Sequence, residues 1–417
     1  MGFKEESFVQ AVSNIHIKEV QGGNFLTPKG YTAAGVEAGL KNDKKDVGII
    51  ISEVPASCAA VFTTNQFQAA PIQVSKDSIA KEGRLQAVIV NSGCANACTG
   101  EQGLQDAYET RRLVAQKFNI EEHHIAVAST GVIGVNLAME KITHGIEQLK
   151  PGNEQDHAVA FQTAILTTDT MMKTSCYTAE INGKTVTMGG TAKGSGMIHP
   201  NMATMLAFVT TDANISQEGL QAALSEITET SFNQITVDGD TSTNDTVFVL
   251  ANGMVDSQTL TPDHSDWPVF VELLALTCES LAKQIARDGE GATKLIEVEV
   301  KGAQNQLDAR MIAKQIVGSN LVKTAVYGAD ANWGRIISAI GQTKTAVNTE
   351  NVDIAIGPIE MLKGSVPLVF SEEEALEYLQ KDFIKINVDL HNGESTGKAW
   401  GCDLSYDYIK INASYRS

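Results

Sequence analysis

The chain has 417 residues, 43% of them hydrophobic and 20% charged, and carries a formal net charge of −18. That length allows two or three lobes, and that apolar content builds a substantial core rather than a disordered chain. The acidity leaves no electrostatic footprint for nucleic acid and is repelled by an anionic membrane, so its plainest reading is solubility.

The first residues, Met1-Gly2-Phe3-Lys4-Glu5-Glu6-Ser7, lack the apolar stretch of a secretion signal, and Glu6 stands where myristoylation needs Ser or Thr. No run approaches the roughly 18 apolar residues of a membrane span. Cysteines at 58, 94, 98, 176, 278 and 402 are too scattered for a disulfide framework, so reduced thiols and a cytoplasmic location are expected. Cys94 and Cys98 have no second ligand pair near them, which favours packing over zinc, and no metal site is expected.

Residues 86–90 read as a buried strand that runs into a small polar loop, residues 91–100. Leu104, Tyr108, Val114, Ala115 and Phe118 then recur at helical spacing. Residues 125–128 form a second buried strand, ending at Ser129-Thr130-Gly131-Val132-Ile133-Gly134. Strand, polar loop and helix in succession give an α/β fold. A further polar run, Asp238-Gly239-Asp240-Thr241-Ser242-Thr243-Asn244-Asp245, precedes the strand 247–250. It lacks the glycine at position 6 and the glutamate at position 12 of a calcium loop, which leaves a hydrogen-bonded turn supporting its neighbours. Residues 254–267 are polar and turn-rich and suggest a lobe boundary. A long helix is expected from Ser265-Asp266-Trp267-Pro268 to Asp288-Gly289. Ile296, Val298 and Val300, then Ile384, Ile386 and Val388, alternate with polar residues as half-exposed strands do.

The chemistry concentrates at Lys193-Gly194-Ser195-Gly196-Met197-Ile198-His199-Pro200-Asn201-Met202-Ala203-Thr204. The glycines at 189, 190, 194 and 196 do not complete a dinucleotide or phosphate-loop spacing. They allow close backbone approach, and Pro200 fixes φ just upstream of Ala203-Thr204. If the Ala203–Thr204 bond breaks, Thr204 becomes an N-terminus. Its hydroxyl is then the nucleophile and its own α-amine, titrating near about 7.7–8.0, the base.

These motifs together resemble the ornithine acetyltransferase family, also called glutamate N-acetyltransferase. The resemblance spans nearly the whole chain. It includes Pro28-Lys29-Gly30 with Ala33-Ala34-Gly35-Val36, Thr63-Thr64-Asn65-Gln66 with Ala69-Ala70-Pro71, and the loop 91–100. It continues through Ser129-Thr130-Gly131, Thr167-Thr168-Asp169-Thr170, the 193–204 run and residues 239–245. Gly289-Glu290-Gly291-Ala292-Thr293-Lys294, Asn332-Trp333-Gly334-Arg335-Ile336 and Ile411-Asn412-Ala413 with Tyr415-Arg416-Ser417 complete it.

The resemblance implies mixed sheets layered with helices, the fold shared with self-cleaving aminopeptidases. It implies autocleavage into an α chain of residues 1–203 and a β chain of residues 204–417, assembled as α2β2. Thr204 would take acetyl from N-acetylornithine and pass it to glutamate through an acetyl-threonine ester, a ping-pong step in arginine biosynthesis. No resident cofactor is implied; in the bifunctional version acetyl-CoA is a further acetyl donor. Thr130 and Gly131 match the oxyanion hole. Thr167, Lys193, Thr204, Glu290, Asn412 and Ser417 match substrate-binding positions. Cys94, Met172, Ser414 and Ser417 depart from the usual residues; Ser417 keeps the hydroxyl of a common Thr. Two other readings are a self-cleaving hydrolase, in which water takes the acyl group, and a non-catalytic binding protein that keeps the Ala203–Thr204 bond.

Overall fold

The computed structural model describes residues 17–199 and 205–414. They form a nine-stranded and a seven-stranded mixed sheet layered with helices, the α/β class expected from the sequence. In the larger sheet the path runs through Lys18–Glu19, Lys173–Ile181, Lys184–Lys193, Leu206–Thr211 and Thr246–Ala251. It continues through Val47–Phe62, Arg84–Cys94 and Ile125–Val132, with Tyr31–Val36 also paired to Val47–Phe62.

The Val47–Phe62 strand makes this sheet double back. Its first part pairs with Arg84–Cys94 and its last part with Thr246–Ala251, with a register shift between Ile51 and Ala56. The two halves bury one core between them. Ile50, Val88, Val90 and Ala126 from one half meet Leu206, Phe208, Phe248 and Leu250 from the other. Phe208 packs edge-on to Phe161 at 5.4 Å and stacks with Phe248 at 6.1 Å. The alternate residues Ala207, Val209, Val247 and Val249 enter a second core. Strands covered on both faces read as unbroken apolar runs, which is how both appear in the sequence.

Arg84–Cys94 and Ile125–Val132 run about four residues past their apolar stretches. Pairing of Asn91 with Ser129 and Ser92 with Thr130 continues the ladder. The buried polar side chains are satisfied locally: Ser92 Oγ donates to Ala164 O at 2.5 Å and Ser129 Oγ to Asn91 Oδ1 at 2.6 Å.

The Trp267–Arg287 helix has the expected bounds, with proline in its first turn. It corrects the expected lobe boundary. Phe270, Leu273, Leu274, Leu281 and Ile285 pack into the core of the larger sheet. The polar stretch before it is a surface connection, and the change of layer comes between Arg287 and Leu295. In the smaller sheet Ile296, Val298, Val300, Ile384, Ile386 and Val388 are buried on one face. The other face holds Lys385 Nζ at 2.6 Å from Glu299 Oε2, and Glu297 Oε2 accepting from Trp400 Nε1 at 2.8 Å. No helix among the described residues is long and apolar enough to cross a membrane.

The Gln155–Ile165 helix lies close against Tyr31–Val36, where a Cβ on Gly35 would stand 2.0 Å from Ala160 O. Neither backbone can yield without losing its own hydrogen bonds. Gly35→Ala should cost about 1–3 kcal/mol, as overpacking does, read as a lowered urea midpoint with unchanged slope.

Candidate active site

Thr130, Gly131, Thr167, Lys193, Glu290 and Asn412 line one pocket, together with Met205 and Leu206. Six residues whose outermost members lie 282 positions apart in sequence thus converge (412 − 130 = 282). Thr130 and Gly131 lie near the end of Ile125–Val132, Lys193 ends Lys184–Lys193, and Thr167 follows the Gln155–Ile165 helix. Glu290 follows the Trp267–Arg287 helix, and Asn412 sits on Tyr406–Ser414. Ala203, Thr204 and Ser417 lie outside the described residues.

The two halves of the larger sheet are tied over this pocket by Asn244. Its Nδ2 donates to Ala95 O at 2.6 Å and Ser129 O at 2.8 Å. Thr130 and Gly131 are thereby held above the start of Leu206–Thr211, whose first residue pairs with Lys193 on one side and Thr246 on the other. Gly131 has φ +132°, and a Cβ there would stand 2.4 Å from the Gly93 carbonyl carbon. Only glycine fits.

Lys193 is buried, and its Nζ donates to Thr167 Oγ1 at 2.8 Å and Thr130 Oγ1 at 3.2 Å. Burial pushes its ammonium pKa down; Asp169 opposes this and the Lys173 charge adds to it. Because the Thr130 oxygen accepts from Lys193, its own hydrogen is left to donate elsewhere. Across the pocket Asn412 Nδ2 donates to Glu290 Oε2 at 2.8 Å. Gly196 lies under the Glu290 carboxylate, where a Cβ would come within 2.4 Å.

Behind these groups lies a buried ionic knot. Lys173 Nζ is 2.7 Å from Asp169 Oδ1 and 2.6 Å from Asp288 Oδ2, all three side chains being essentially inaccessible. Asp169 also accepts from Gly194 N at 2.6 Å and from Thr167 N at 3.0 Å. Asp288 accepts from the backbone and hydroxyl of Thr170. Its carbonyl accepts from Ser195 Oγ at 2.7 Å, and Glu290 N donates to Ser195 O at 3.1 Å. The segments bearing Thr167, Lys193 and Glu290 are therefore cross-linked to one another. Burial works to raise the Asp169 pKa, but Lys193 and Lys173 outweigh it and hold the carboxyl at about 2.

The 238–245 run supports its neighbours. Asp238 accepts from Met197 N at 2.7 Å and Ile198 N at 2.9 Å, fixing Met197 at φ +56°. Burial raises the Asp238 pKa. Thr241 Oγ1 donates to His199 O at 2.9 Å. His199 Nδ1 lies 3.0 Å from Thr236 Oγ1, and burial lowers its pKa to about 4. Asp238, Asp240, Asp245 and Tyr408 also line the pocket, which sequence reading missed. The density of acids in one short run was the available signal. Cys94 is buried beside the Thr130 strand, with Sγ donating to Val135 O at 3.1 Å, and burial pushes its thiol pKa up; Met172 is exposed.

The sequence matches the ArgJ family over residues 32–417. It is 66% identical over 401 residues to the arginine biosynthesis bifunctional protein ArgJ of Geobacillus kaustophilus, covering 96% of this chain and 98% of that protein. The crystal structure of the protein of the same name from Bacillus halodurans is 67% identical, with a TM-score of 0.50. It covers 51% of this chain and all of the solved chain. Ornithine acetyltransferase from Mycobacterium tuberculosis, solved in complex with ornithine, is 34% identical with a TM-score of 0.42, covering 45% of this chain and all of that one.

Removing Lys173 strands two carboxylates in the interior. Lys173→Met should cost about 3–5 kcal/mol, as breaking a buried pair does, measured by urea unfolding at pH 7. The Asp169 pKa of about 2 lies below the unfolded value of about 3.9. Its contribution is complete above the unfolded value and is lost as pH falls from there through about 2. Asp169→Asn should flatten the stability–pH curve in that window relative to wild type, seen in thermal midpoints collected from pH 5 to 2.

Proposed function

The chain belongs to the ArgJ family and is an acyltransferase of arginine biosynthesis, and from that premise we propose that Thr204, freed by cleavage of the Ala203–Thr204 bond, carries acetyl from N-acetylornithine to glutamate. The observation that carries this reading is the convergence of Thr130, Gly131, Thr167, Lys193, Glu290 and Asn412 on one pocket, with Met205 and Leu206, the residues after Thr204, on its wall. The half-length Bacillus halodurans chain, matched over 51% of this one, agrees with a cut near the middle.

The Thr204 amine takes the hydroxyl proton as Oγ attacks the acetyl carbonyl. Negative charge moves to the carbonyl oxygen, where the Thr130 hydroxyl and the Gly131 N–H donate to it; each such donor is worth about 10²–10³ in rate. The C–N bond breaks, and the α-amine of ornithine leaves with the proton. Glutamate's α-amine then attacks the acetyl-Thr204 ester and regenerates the hydroxyl.

The two amino acids end in opposite charges, an ammonium on ornithine and a carboxylate on glutamate. The Glu290–Asn412 pair offers acceptors and donors side by side and so suits both in turn. The Lys193 ammonium, among Thr130 and Thr167, suits a substrate carboxylate. The relatives' bifunctionality, carried over to this chain, adds acetyl-CoA as a donor to the same threonine. An α2β2 assembly and the tail position of Ser417 complete the reading.

Denaturing intact-mass spectrometry tests the nucleophile. The wild type should give fragments of 203 and 214 residues (417 − 203 = 214), and Thr204→Ala one full-length, inactive species. An uncleaved wild type with full transfer activity would falsify this assignment. Glu290→Gln should lower kcat/KM for N-acetylornithine about 10–100-fold, the worth of a charge-assisted hydrogen bond, with little change in thermal midpoint.

A further inference from the structure

Outside the pocket, one cluster has ligand chemistry that the acetyl transfer does not use. The Ala70–Glu82 helix ends at Glu82, and Gly83 closes it in the left-handed region at φ +65°, with its N–H donating to Ile79 O at 2.8 Å. The short Glu122–His124 turn leads into Ile125–Val132. Because Arg84–Cys94 runs parallel to Ile125–Val132, with Ala87 opposite Ile125, the helix end and the turn lie side by side.

Glu82 then faces two imidazoles. Its Oε2 is 3.1 Å from His124 Nε2 and its Oε1 is 3.4 Å from His123 Nε2. The two rings stand 4.3 Å apart at 51°, and the three ligand atoms lie within 4.8 Å of one another. We propose that Glu82, His123 and His124 form a binding site for a late divalent transition metal, with zinc as its prototype.

Three observations support it. Ligands about 2.0–2.2 Å from a tetrahedral ion stand about 3.3–3.6 Å apart, close to the two spacings, one to each carboxylate oxygen, that Glu82 already has. His123 Nε2 is buried and takes no hydrogen bond among the described residues, its approach to Glu82 lying outside hydrogen-bond geometry; a metal supplies the missing partner. Glu82 sits in the last turn of a 13-residue helix, where the backbone dipole opposes a carboxylate and favours a cation.

Two imidazoles and one carboxylate select zinc, nickel or cobalt over calcium or magnesium. The Glu82 side chain is 53% exposed, and a cavity lined by His123, Asp77, Lys81, Arg111 and Glu122 opens beside it, leaving the fourth coordination position to water. Arg111 does not block it, since its Nη2 is held 3.5 Å from Glu122 Oε2. A bound metal would clip together residues 42 apart in sequence, Glu82 and His124. It would anchor the start of the strand whose far end carries Thr130 and Gly131. Cysteine spacing could not reveal the site, because its ligands are an adjacent His pair and a distant Glu.

The test uses the full-length protein, stripped with a chelator and titrated calorimetrically with Zn²⁺, with a parallel Co²⁺ titration followed by visible absorption. One equivalent per chain, the absorption of four-coordinate cobalt and a thermal midpoint that climbs with free metal are expected. Glu82→Gln and His123→Asn, each with wild-type circular dichroism, should each weaken binding at least tenfold and remove the cobalt absorption. Absence of stoichiometric uptake by the wild type would reduce the cluster to an ion pair and overturn the proposal. Equal uptake by wild type and both variants would overturn it too, placing the metal elsewhere.

Discussion

The Lys173 ammonium, out of water between Asp169 and Asp288, is the contact on which the pocket depends. Such a triad is not there for stability. Taking each ion out of water costs several kcal/mol, and well-packed apolar replacements of whole buried ion groups are often neutral or better. Its effect is register. Asp169 holds the backbone of Gly194 and Thr167, while Asp288 holds Thr170 and, through its carbonyl, Ser195. Ser195 in turn receives the N–H of Glu290. Segments bearing three pocket side chains are thereby fixed to a common charged centre. Apolar packing alone would leave them free to slide by fractions of an ångström.

The same knot sets the charge of the pocket. Lys193 lies near Asp169, Asp245 and Glu290, all of which favour its charged form against burial. The Lys173 charge, of like sign, works the other way. Among the described residues lining the pocket, Lys193 is the one basic side chain, directed at two threonine hydroxyls and facing a carboxylate that is itself bonded to an amide. Opposite charges at opposite walls favour zwitterionic ligands. The other acids in the lining have partly structural duties, as Asp238 shows by accepting three backbone N–H groups, from Met197, Ile198 and Asp240.

Much of the fold was legible because burial on one or two faces leaves a period in the sequence. The 267–287 helix and the 296–300 and 384–388 strands follow from it directly. The pocket residues were legible only through resemblance: Thr130 and Glu290 look like ordinary strand-end and helix-end residues until the segments around them converge. What escaped was polar structure in the interior. Lys173 reads as a strand-start lysine and Asp288 as a helix stop, because nothing local says that they meet across 115 positions. The strand ends at 91–94 and 129–132 read as loops because ladder pairing, not side-chain period, continues them. The lobe boundary at 254–267 failed for a related reason: polarity marks exposure, and an exposed connection can lie within a layer as well as between layers.

The topology also bears on the proposed processing. Leu206–Thr211 is a central strand, wedged between Lys184–Lys193 and Thr246–Ala251. The cores on both of its faces take residues from either side of position 204, with Met188 and Val61 in the core of Val209, and Phe161 and Ile50 in that of Phe208. A cut before Thr204 therefore divides the chain and not the fold. The two parts would share the larger sheet and the cores on both faces of this strand, while the core of the smaller sheet lies wholly after position 204. Lys193 and Thr130, which line the pocket with Met205 and Leu206, are brought together only when this strand is in place. Under the proposed processing, self-cleavage would follow folding of the intact chain, and the knot at Lys173, which fixes the segment from Gly194 to Ser195, would serve the uncleaved chain as much as the cleaved one.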